Sequence, residues 1–336
     1  MPWWGSSKKE KASGFIDDMD EEQEEALYDL KDIIENQELT QDPRFNDEYL
    51  LRFLRNNNFN VKKTYTMFEE FIQWREESKA DRAMVIYRFP ELPQLKIHYE
   101  HGYHMTDYEG RPVWIDRPCA ADIDACFHLV TPDMMMKYYI SEYERLIHFK
   151  FPACSAAQGK NVDSTFSIVD WSGFKMSLLN KKGREFVKIA STLGQNYYPE
   201  IMWQMYVINT PILFKAAWVV IKPFLNEKSR NRIKLLGGKY QKELFKIVDP
   251  DNVPTVVGGN CTCEDKGGNW FQACPGPWDE HPGDEFGEAA LKELEENTSD
   301  EAQQRLLAEG MAKIGKNVEQ EEGLDELEYD QVTQTN

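Results

Sequence analysis

Residues 208–225 read Ile-Asn-Thr-Pro-Ile-Leu-Phe-Lys-Ala-Ala-Trp-Val-Val-Ile-Lys-Pro-Phe-Leu, a strand that passes into a helix. The helix is apolar on nearly all sides, so it has to be buried in a core or has to face an apolar ligand or a lipid. Lys215 and Lys222 interrupt it, and each could hold its charge at lipid headgroups while its methylene stem lies on apolar surface. By itself, the stretch favours a core helix over one that faces a membrane.

Predicted strands and helices alternate along the chain on both sides of this stretch. One helix is predicted to open at Thr131-Pro132, and another is predicted to stop at Gly194. A strand is also expected around His101. Runs rich in β-forming residues are Pro112–Ile115, Thr165–Trp171, Met205–Ile208 and Ile233–Leu236. The alternation predicts an α/β fold with a mostly parallel sheet that carries helices on both faces.

Three amphipathic helices are predicted ahead of the sheet. The first covers about residues 21–37, the second begins at the N-cap residue Asn46, and the third follows Asn60. A segment dense in Gly and Pro follows the sheet and leads into an acidic tail. We expect four parts: a flexible N-terminus (1–20), a helical unit (21–90), the α/β domain (91–263) and an irregular segment with the acidic tail (264–336).

Charge and hydrophobicity exclude two classes of protein. The formal net charge is −19, of which residues 279–336 carry −14, so the remainder is only mildly acidic. Such a chain is not expected to bind nucleic acid, because phosphate neutralisation needs a basic surface. No run of about 20 apolar residues occurs, so we expect no transmembrane segment.

The cysteines and histidines do not form a metal motif in sequence. Six cysteines and no secretory signal indicate free thiols in a reducing cytosol. Cys261-Thr-Cys263 could contact a metal, but no matching Cys or His cluster accompanies it. His98, His101 and His104 recur at i, i+3, i+6, but they lie where a strand is expected. We therefore expect no metal and no cofactor.

No catalytic signature is present. The sequence lacks a dinucleotide-binding glycine fingerprint, a P-loop, a GxSxG elbow and an HExxH motif. Asp170 ends an apolar strand, where carboxylates of α/β enzymes do occur, but no partner for it is evident. We expect a binding protein with no catalytic residues. An α/β lipid hydrolase that uses Asp170 is the alternative from a different class.

Ordered blocks along residues 24–260 are more specific than any of these motifs. They are Leu50–Val61, Met67-Phe68, Trp74-Arg75, Tyr103–Asp107, Gly110–Val113, Glu142–Glu144, Phe151–Ser155, Gln195–Glu200, Lys222–Leu225, Leu236-Gly237, Tyr240–Leu244 and Val257–Gly259. With these blocks the chain resembles the CRAL-TRIO family, and within it the yeast-type secretory-pathway phosphatidylinositol/phosphatidylcholine transfer proteins.

The resemblance implies a helical unit beside a lipid-binding domain. In that domain a sheet floor and surrounding helices enclose the acyl chains, and a mobile helix gates the opening. The stretch quoted first falls on the gate, so the resemblance favours its membrane-facing interpretation. The implied gate residues are Leu213, Phe214, Ala217, Trp218, Ile221, Phe224 and Leu225.

The resemblance also implies contacts for two headgroups. Hydroxyls suit a phosphate, and tyrosine faces suit a quaternary ammonium group. The positions that contact phosphocholine in the family correspond here to Tyr103, Tyr143, Thr165 and Ser167. The positions that contact inositol phosphate in the family correspond here to Asn57, Asn58, Glu200 and Arg232.

The inositol phosphate set departs from the family pattern. Basic residues are expected at Asn57 and Asn58, and lysine is expected at Arg232. Asparagine supplies no charge, and charge-assisted hydrogen bonds are about twice as strong as neutral ones. Lys62 or Lys63 could compensate. Phosphatidylcholine is therefore the better-supported ligand, and phosphatidylinositol is an open question.

These implications lead to one expected function. The chain is expected to be a monomer that carries one phospholipid, exchanges it at a membrane and performs no covalent chemistry. It is expected to be cytoplasmic and peripheral at Golgi or endosomal membranes of the secretory pathway. A carrier of another hydrophobic ligand, such as a tocopherol, a retinoid or a sterol, is the nearer alternative, because the wider family includes these.

Overall fold

The first three helices of the described chain start at side-chain caps. The computed structural model describes residues 12–211 and 214–279. Asn46 and Asn60 each accept a hydrogen bond from the backbone N–H three positions later, which confirms both predicted helix starts. The helices that precede the sheet are α1 (Glu21–Asn36), α2 (Asp47–Asn56), α3 (Val61–Ser78), α4 (Ala83–Ile86) and α5 (Leu92–His98).

A five-stranded sheet follows, in the order β1-β2-β3-β4-β5. Strand β1 pairs antiparallel with β2, and every other neighbouring pair is parallel, so the predicted α/β fold with a mostly parallel sheet is confirmed. The strands are β1 (His101–Thr106), β2 (Pro112–Asp116), β3 (Thr165–Asp170), β4 (Met202–Ile208) and β5 (Ile233–Leu235).

Helical segments connect the parallel strands. They are α6 (Ile123–Leu129), α7 (Pro132–Arg145), a π-helix (Leu146–Lys150), α8 (Phe151–Gln158), α9 (Lys181–Thr192), a second π-helix (Leu193–Tyr197), α10 (Phe214–Ile221) and α11 (Glu227–Asn231). The helices α12 (Gln241–Leu244) and α13 (Trp270–Ala273) follow the sheet. Short 3₁₀ turns lie at Ala80–Arg82, Met176–Leu179, Lys222–Phe224, Pro250–Asn252, Thr255–Val257, Glu264–Lys266 and Pro277–Asp279.

The predicted helix stop at Gly194 is wrong. The chain continues through this residue as the second π-helix and leaves helical structure after Tyr197. A Cβ atom at Gly194 would lie 3.0 Å from the hydroxyl oxygen of Tyr143. The glycine therefore serves close packing of the second π-helix against α7 and does not end the helical run.

The two faces of the sheet are covered differently. Helices α7, α9 and α10 lie on the face that carries Thr165 and Ser167. The opposite face carries the buried side chains of Phe166 and Ile168, which pack on residues between 240 and 271. That segment contains short turns and only short helices, so the prediction of helices on both faces holds only in part. Prolines and the Gly258-Gly259 pair prevent a long helix there.

A buried ion pair joins the N-terminal helices to the sheet domain. Arg75 of α3 donates from Nη1 and Nη2 to the two carboxylate oxygens of Glu144 on α7, at 2.9 and 3.1 Å. Burial by itself would raise the pKa of Glu144, but Arg75 and His148 lower it to about 2. Beside this pair, the rings of Trp74 and Tyr197 stack at 4.0 Å. All described residues belong to one compact unit.

We expect Arg75→Met to destabilise the protein by about 3–5 kcal/mol, because it leaves the carboxylate of Glu144 buried without its cation. Adding Glu144→Gln should recover more than about 1 kcal/mol by removing that charge. The stabilisation should be complete above about pH 4.5 and should be lost as the pH falls towards 2, because folding depresses the pKa of Glu144. Urea unfolding at several pH values measures this.

The matched control is Lys31→Met, which breaks the exposed pair of Lys31 and Asp47 and should cost less than about 1 kcal/mol. Equal losses for Arg75→Met and Lys31→Met would contradict the role given to the buried pair.

Candidate functional site

A cavity of about 310 Å³ lies between the sheet and the helices that cross over it. Its floor is made of alternate strand residues, because successive side chains of a strand point to opposite faces. The floor residues are Trp114, Asp116, Thr165, Ser167, Val169, Met205 and Val207. The walls include Tyr139 and Tyr143 of α7, Phe186, Val187 and Ala190 of α9, and Phe214, Trp218 and Ile221 of α10. A mostly apolar lining with a few converging polar groups is typical of a ligand site.

The four residues predicted to contact phosphocholine all line this cavity. Strand β3 contributes Thr165 and Ser167 from the same face. The ring of Tyr143 stacks on Tyr198 at 4.3 Å, which fixes its orientation. Burial raises the pKa of Tyr143 to about 12, so its hydroxyl stays protonated and can donate to an anionic oxygen at neutral pH. Their proposed contact with a headgroup stays a prediction.

The residues predicted for inositol phosphate are only partly brought together. Glu200 and Arg232 both line the cavity and form an ion pair. Asn57 instead caps the end of α2, where its side chain donates to the carbonyl of Phe53 at 3.1 Å. Asn58 has a left-handed backbone (φ 53°) and, like Asn57, does not line the cavity. The preceding residue, Asn56, lines it.

Besides Arg232, two residues that were not predicted add positive charge to this region, Arg55 and Lys228. Lys228 lines the cavity, and its ammonium group donates to the carbonyl of Arg55. The buried Arg55 has its Nε 3.7 Å from a carboxylate oxygen of Glu200. Lys62 and Lys63, suggested above as compensating charges, are not among the lining residues. The spacing of Lys228 and Arg232, four residues apart around the short helix α11, is the signal that could have identified Lys228.

The implied gate residues divide between the cavity and the surface. Phe214, Trp218, Ile221 and Leu225 line the cavity, and Ala217 is fully buried. Phe224 is half-buried in the 3₁₀ turn after α10, and Leu213 lies outside the described residues. On the outer side of α10 the side chain of Val219 is 72% exposed. The helix therefore has apolar side chains on its inner and its outer side.

The side chain of Gln195 holds the end of the segment formed by α10 and the 3₁₀ turn that follows it. The amide nitrogen of Gln195 donates to the carbonyl of Phe224 at 2.8 Å. The amide oxygen of Gln195 accepts from the backbone N–H of Asn226. Gln195 itself lies in the second π-helix and lines the cavity.

Asp170 has the surroundings of a structural residue. Its carboxylate accepts from the N–H and hydroxyl of Ser172, from Asn209 at 2.8 Å and from Arg117 at 3.3 Å. Burial alone would raise the pKa of Asp170, but these hydrogen bonds hold this pKa below its usual value. Asp170 is not among the cavity-lining residues.

The three spaced histidines do not share one site. His101 contacts the carbonyl of Tyr99 and the hydroxyl of Tyr138. His98 contacts Gln94 near the end of α5. His104 lies on the opposite side of β1 and contacts the carbonyl of Asn252 and the sulfur of Cys263.

Asp116 is a titratable group in the cavity that was not predicted. It lies at the end of β2 and accepts a hydrogen bond from the hydroxyl of Tyr99 at 2.8 Å. Burial raises the pKa of Asp116 to about 7, although the hydrogen bonds from Tyr99 and Trp114 lower it.

We expect Asp116→Asn to make the protein more stable than the wild type above pH 7, by on the order of 2 kcal/mol. Because folding raises the pKa of Asp116, the wild type should lose stability as the pH rises from about 4 to about 7. The variant should lack this part of the pH dependence. Thermal and urea unfolding from pH 4 to 8 measure it, with the exposed Asp17→Asn as the control. Parallel pH profiles for the wild type and Asp116→Asn would contradict the raised pKa.

Within the described ranges, no helix is both long enough and apolar enough to cross a membrane.

Residues 98–259 match the family model for the CRAL/TRIO domain, and residues 14–70 match the model for the CRAL/TRIO N-terminal domain. The crystal structure of Sfh5 aligns with a TM-score of 0.59 at 15% sequence identity, covering 82% of this chain and 97% of Sfh5, which supports the fold.

Similar proteins occur in plants and fungi. The phosphatidylinositol/phosphatidylcholine transfer protein SFH11 of Arabidopsis thaliana is 36% identical over 231 residues, which are 69% of this chain and 61% of SFH11. SFH12 of the same plant is 36% identical over 70% of this chain, and the match covers 44% of SFH12. The chain thus spans less than two thirds of these plant relatives. The SEC14 cytosolic factor of Kluyveromyces lactis is 34% identical over 80% of this chain and 88% of its own length. The chain belongs to the CRAL/TRIO family.

Proposed function

We propose that this chain takes one phosphatidylcholine molecule into the cavity and exchanges it at a membrane surface. The observation that carries the proposal is that Tyr103, Tyr143, Thr165 and Ser167 line one apolar cavity whose wall includes α10. The names of the plant relatives, which are phosphatidylinositol/phosphatidylcholine transfer proteins, support the same class of ligand.

The apolar lining accounts for the acyl chains. Each CH₂ group removed from water contributes about 0.8 kcal/mol, so a chain of many carbons binds strongly without any specific contact. The polar groups then select the headgroup. The hydroxyls of Thr165 and Ser167 suit the phosphate, and the faces of Tyr103 and Tyr143 suit the choline ammonium.

The gate is proposed to be α10 with the turn that follows it. Its inner residues close the cavity, and its outer side exposes Val219. An exposed valine is costly in water and favourable against lipid, and the exposed Lys215 one turn away suits lipid headgroups. Gln195 holds the segment closed through its two backbone hydrogen bonds. When the segment opens, these two hydrogen bonds are lost, and contact of its apolar side chains with a bilayer would replace part of their stabilisation.

Phosphatidylinositol is proposed as a second, exchanging ligand. The carboxylate of Glu200 has two guanidinium neighbours, Arg55 and Arg232, and Lys228 lines the same cavity. This surplus of positive charge suits an inositol-linked phosphate, although Asn57 and Asn58 lie elsewhere. We propose no covalent chemistry for the chain, since Asp170 is saturated with hydrogen bonds. We also propose a monomer that acts in the cytoplasm and contacts Golgi or endosomal membranes peripherally.

A crossed pair of variants tests the two headgroup sets. Thr165→Val with Ser167→Ala should reduce transfer of labelled phosphatidylcholine between vesicles by about 10–30-fold, because two hydrogen bonds of about 1 kcal/mol each are lost. Transfer of phosphatidylinositol by this variant should change less than about twofold. Arg232→Met should show the reverse pattern. Thr66→Val, on the exposed side of α3, is the control.

Other outcomes separate the alternatives. Purified wild-type protein that carries no lipid and moves none between vesicles would overturn the proposed function. A bound ligand without phosphorus would favour a tocopherol, retinoid or sterol carrier. Turnover of a lipid ester that disappears in Asp170→Ala would favour the hydrolase.

The gate has its own test. Gln195→Ala removes both hydrogen bonds to the end of the segment, so we expect bound fluorescent phosphatidylcholine to dissociate about 5–10-fold faster in stopped-flow measurements. Gln73→Ala, an exposed glutamine on α3, should leave the rate unchanged. An unchanged rate in Gln195→Ala, with transfer still active, would place the gate elsewhere.

A further inference from the structure

A second cluster of reactive side chains lies on the face of the sheet that points away from the cavity. The sulfur atoms of Cys261 and Cys263 are 3.4 Å apart, and Nε2 of His104 is 3.2 Å from the sulfur of Cys263. The three ligand atoms all lie within 4.8 Å of one another. The sequence suggested the two cysteines as metal contacts but not this histidine, because His104 is 159 residues away from Cys263 in the chain.

The histidine is held in the tautomer that a metal ligand needs. Its Nδ1 lies 2.9 Å from the carbonyl oxygen of Asn252, which can only accept, so Nδ1 carries the proton. Nε2 therefore presents a lone pair, and it is this atom that faces Cys263. A backbone carbonyl bonded to the far nitrogen is the usual outer partner of a metal-binding imidazole.

The backbone around the cysteines is also fixed. The N–H of Cys261 donates to the carbonyl of Val253 at 3.0 Å, and its carbonyl accepts from Thr255 at 3.0 Å. The carbonyl of Cys263 accepts from the N–H of Gly268 at 2.7 Å. These bonds hold the two cysteines in position independently of any bond between their sulfur atoms.

We propose that His104, Cys261 and Cys263 bind one zinc ion through Nε2 and two thiolate sulfurs. Tetrahedral zinc with bonds of about 2.3 Å to sulfur and about 2.0 Å to nitrogen separates two sulfurs by about 3.8 Å and a sulfur from a nitrogen by about 3.5 Å. The S–S and S–N separations given above, 3.4 and 3.2 Å, are shorter than these by about 0.3–0.4 Å. Two thiolates neutralise the dication, which suits a buried site, and sulfur with imidazole disfavours magnesium and calcium.

A water molecule would complete the tetrahedron from the side of Cys261, which is half-buried and therefore open to solvent. Cys274 is excluded from this role because its sulfur contacts the carbonyl of Phe271 at 3.2 Å and the ammonium of Lys96 at 3.4 Å. His104 and Cys263 are enclosed by an apolar core that includes Trp270, whose ring centroid is 6.3 Å from that of His104.

The zinc ion would connect β1 to the segment that covers the second face of the sheet. His104 directly follows Tyr103, which lines the lipid cavity from the other face. The bridge would thus fix the strand that carries a headgroup residue. Because a preformed site does not exist in the unfolded chain, the free energy of zinc binding stabilises the fold.

The first test is metal analysis of the full chain, purified without a metal-affinity step and then equilibrated with micromolar Zn²⁺. Native mass spectrometry should find one zinc per chain, and chelation should lower the Tm by at least about 5 °C. Cys261→Ser and Cys263→Ser should each lose the zinc, while Cys119→Ser, also half-buried, should keep it. Zinc-free wild-type protein would overturn the proposal, and so would a mass lower by two hydrogens, which indicates a Cys261–Cys263 disulfide.

A second measurement does not depend on whether the variants fold. Co²⁺ added to metal-free wild-type protein should give the intense ligand-field bands of a tetrahedral site and a thiolate-to-cobalt charge-transfer band. One equivalent of Zn²⁺ should remove both. A weak octahedral spectrum without the charge-transfer band would show that the thiols and the imidazole only hydrogen-bond to one another, and would overturn the proposal.

Discussion

The buried pair of Arg75 and Glu144 is the constraint on which the cavity depends. The hydroxyl of Tyr198 donates to the same carboxylate, and the ring of Tyr198 stacks on Tyr143. A single anion therefore connects a helix of the N-terminal unit to an aromatic wall of the cavity. The helical unit is thus part of the structure that shapes the cavity, and Phe71 of its aromatic core lies against the buried guanidinium of Arg75, at 5.3 Å.

The alternation of side chains along the strands divides the molecule into two chemical environments. Thr165 and Ser167 give one face hydroxyl groups, whereas Phe166 gives the other an apolar surface. The same rule separates Tyr103 from His104, although they are neighbours in sequence. One thin sheet can therefore form the floor of an apolar cavity and, on its other side, hold thiols and an imidazole.

Features that depend on local sequence could be predicted well. The caps Asn46 and Asn60, the parallel strands and the four cavity hydroxyls all follow from patterns within a few residues or from ordered blocks. Contacts between distant segments could not be predicted. Arg55 comes close to Glu200, and Lys228 contacts the backbone of Arg55, only after the chain folds. Likewise, nothing near Cys261 indicates His104. Gly194 was misinterpreted because close packing against Tyr143 and helix termination favour the same residue type.

The shortness of α10 has a consequence for how such a protein works. The eight described residues of α10 span only about 12 Å, so under the proposed function the helix places only a few apolar side chains in a membrane at one time. Each encounter with a bilayer is then weak, and weak encounters are brief. A carrier has to leave one membrane before it can serve another. Limited adhesion is therefore an advantage, because a longer apolar helix would keep the protein at the first surface it reached.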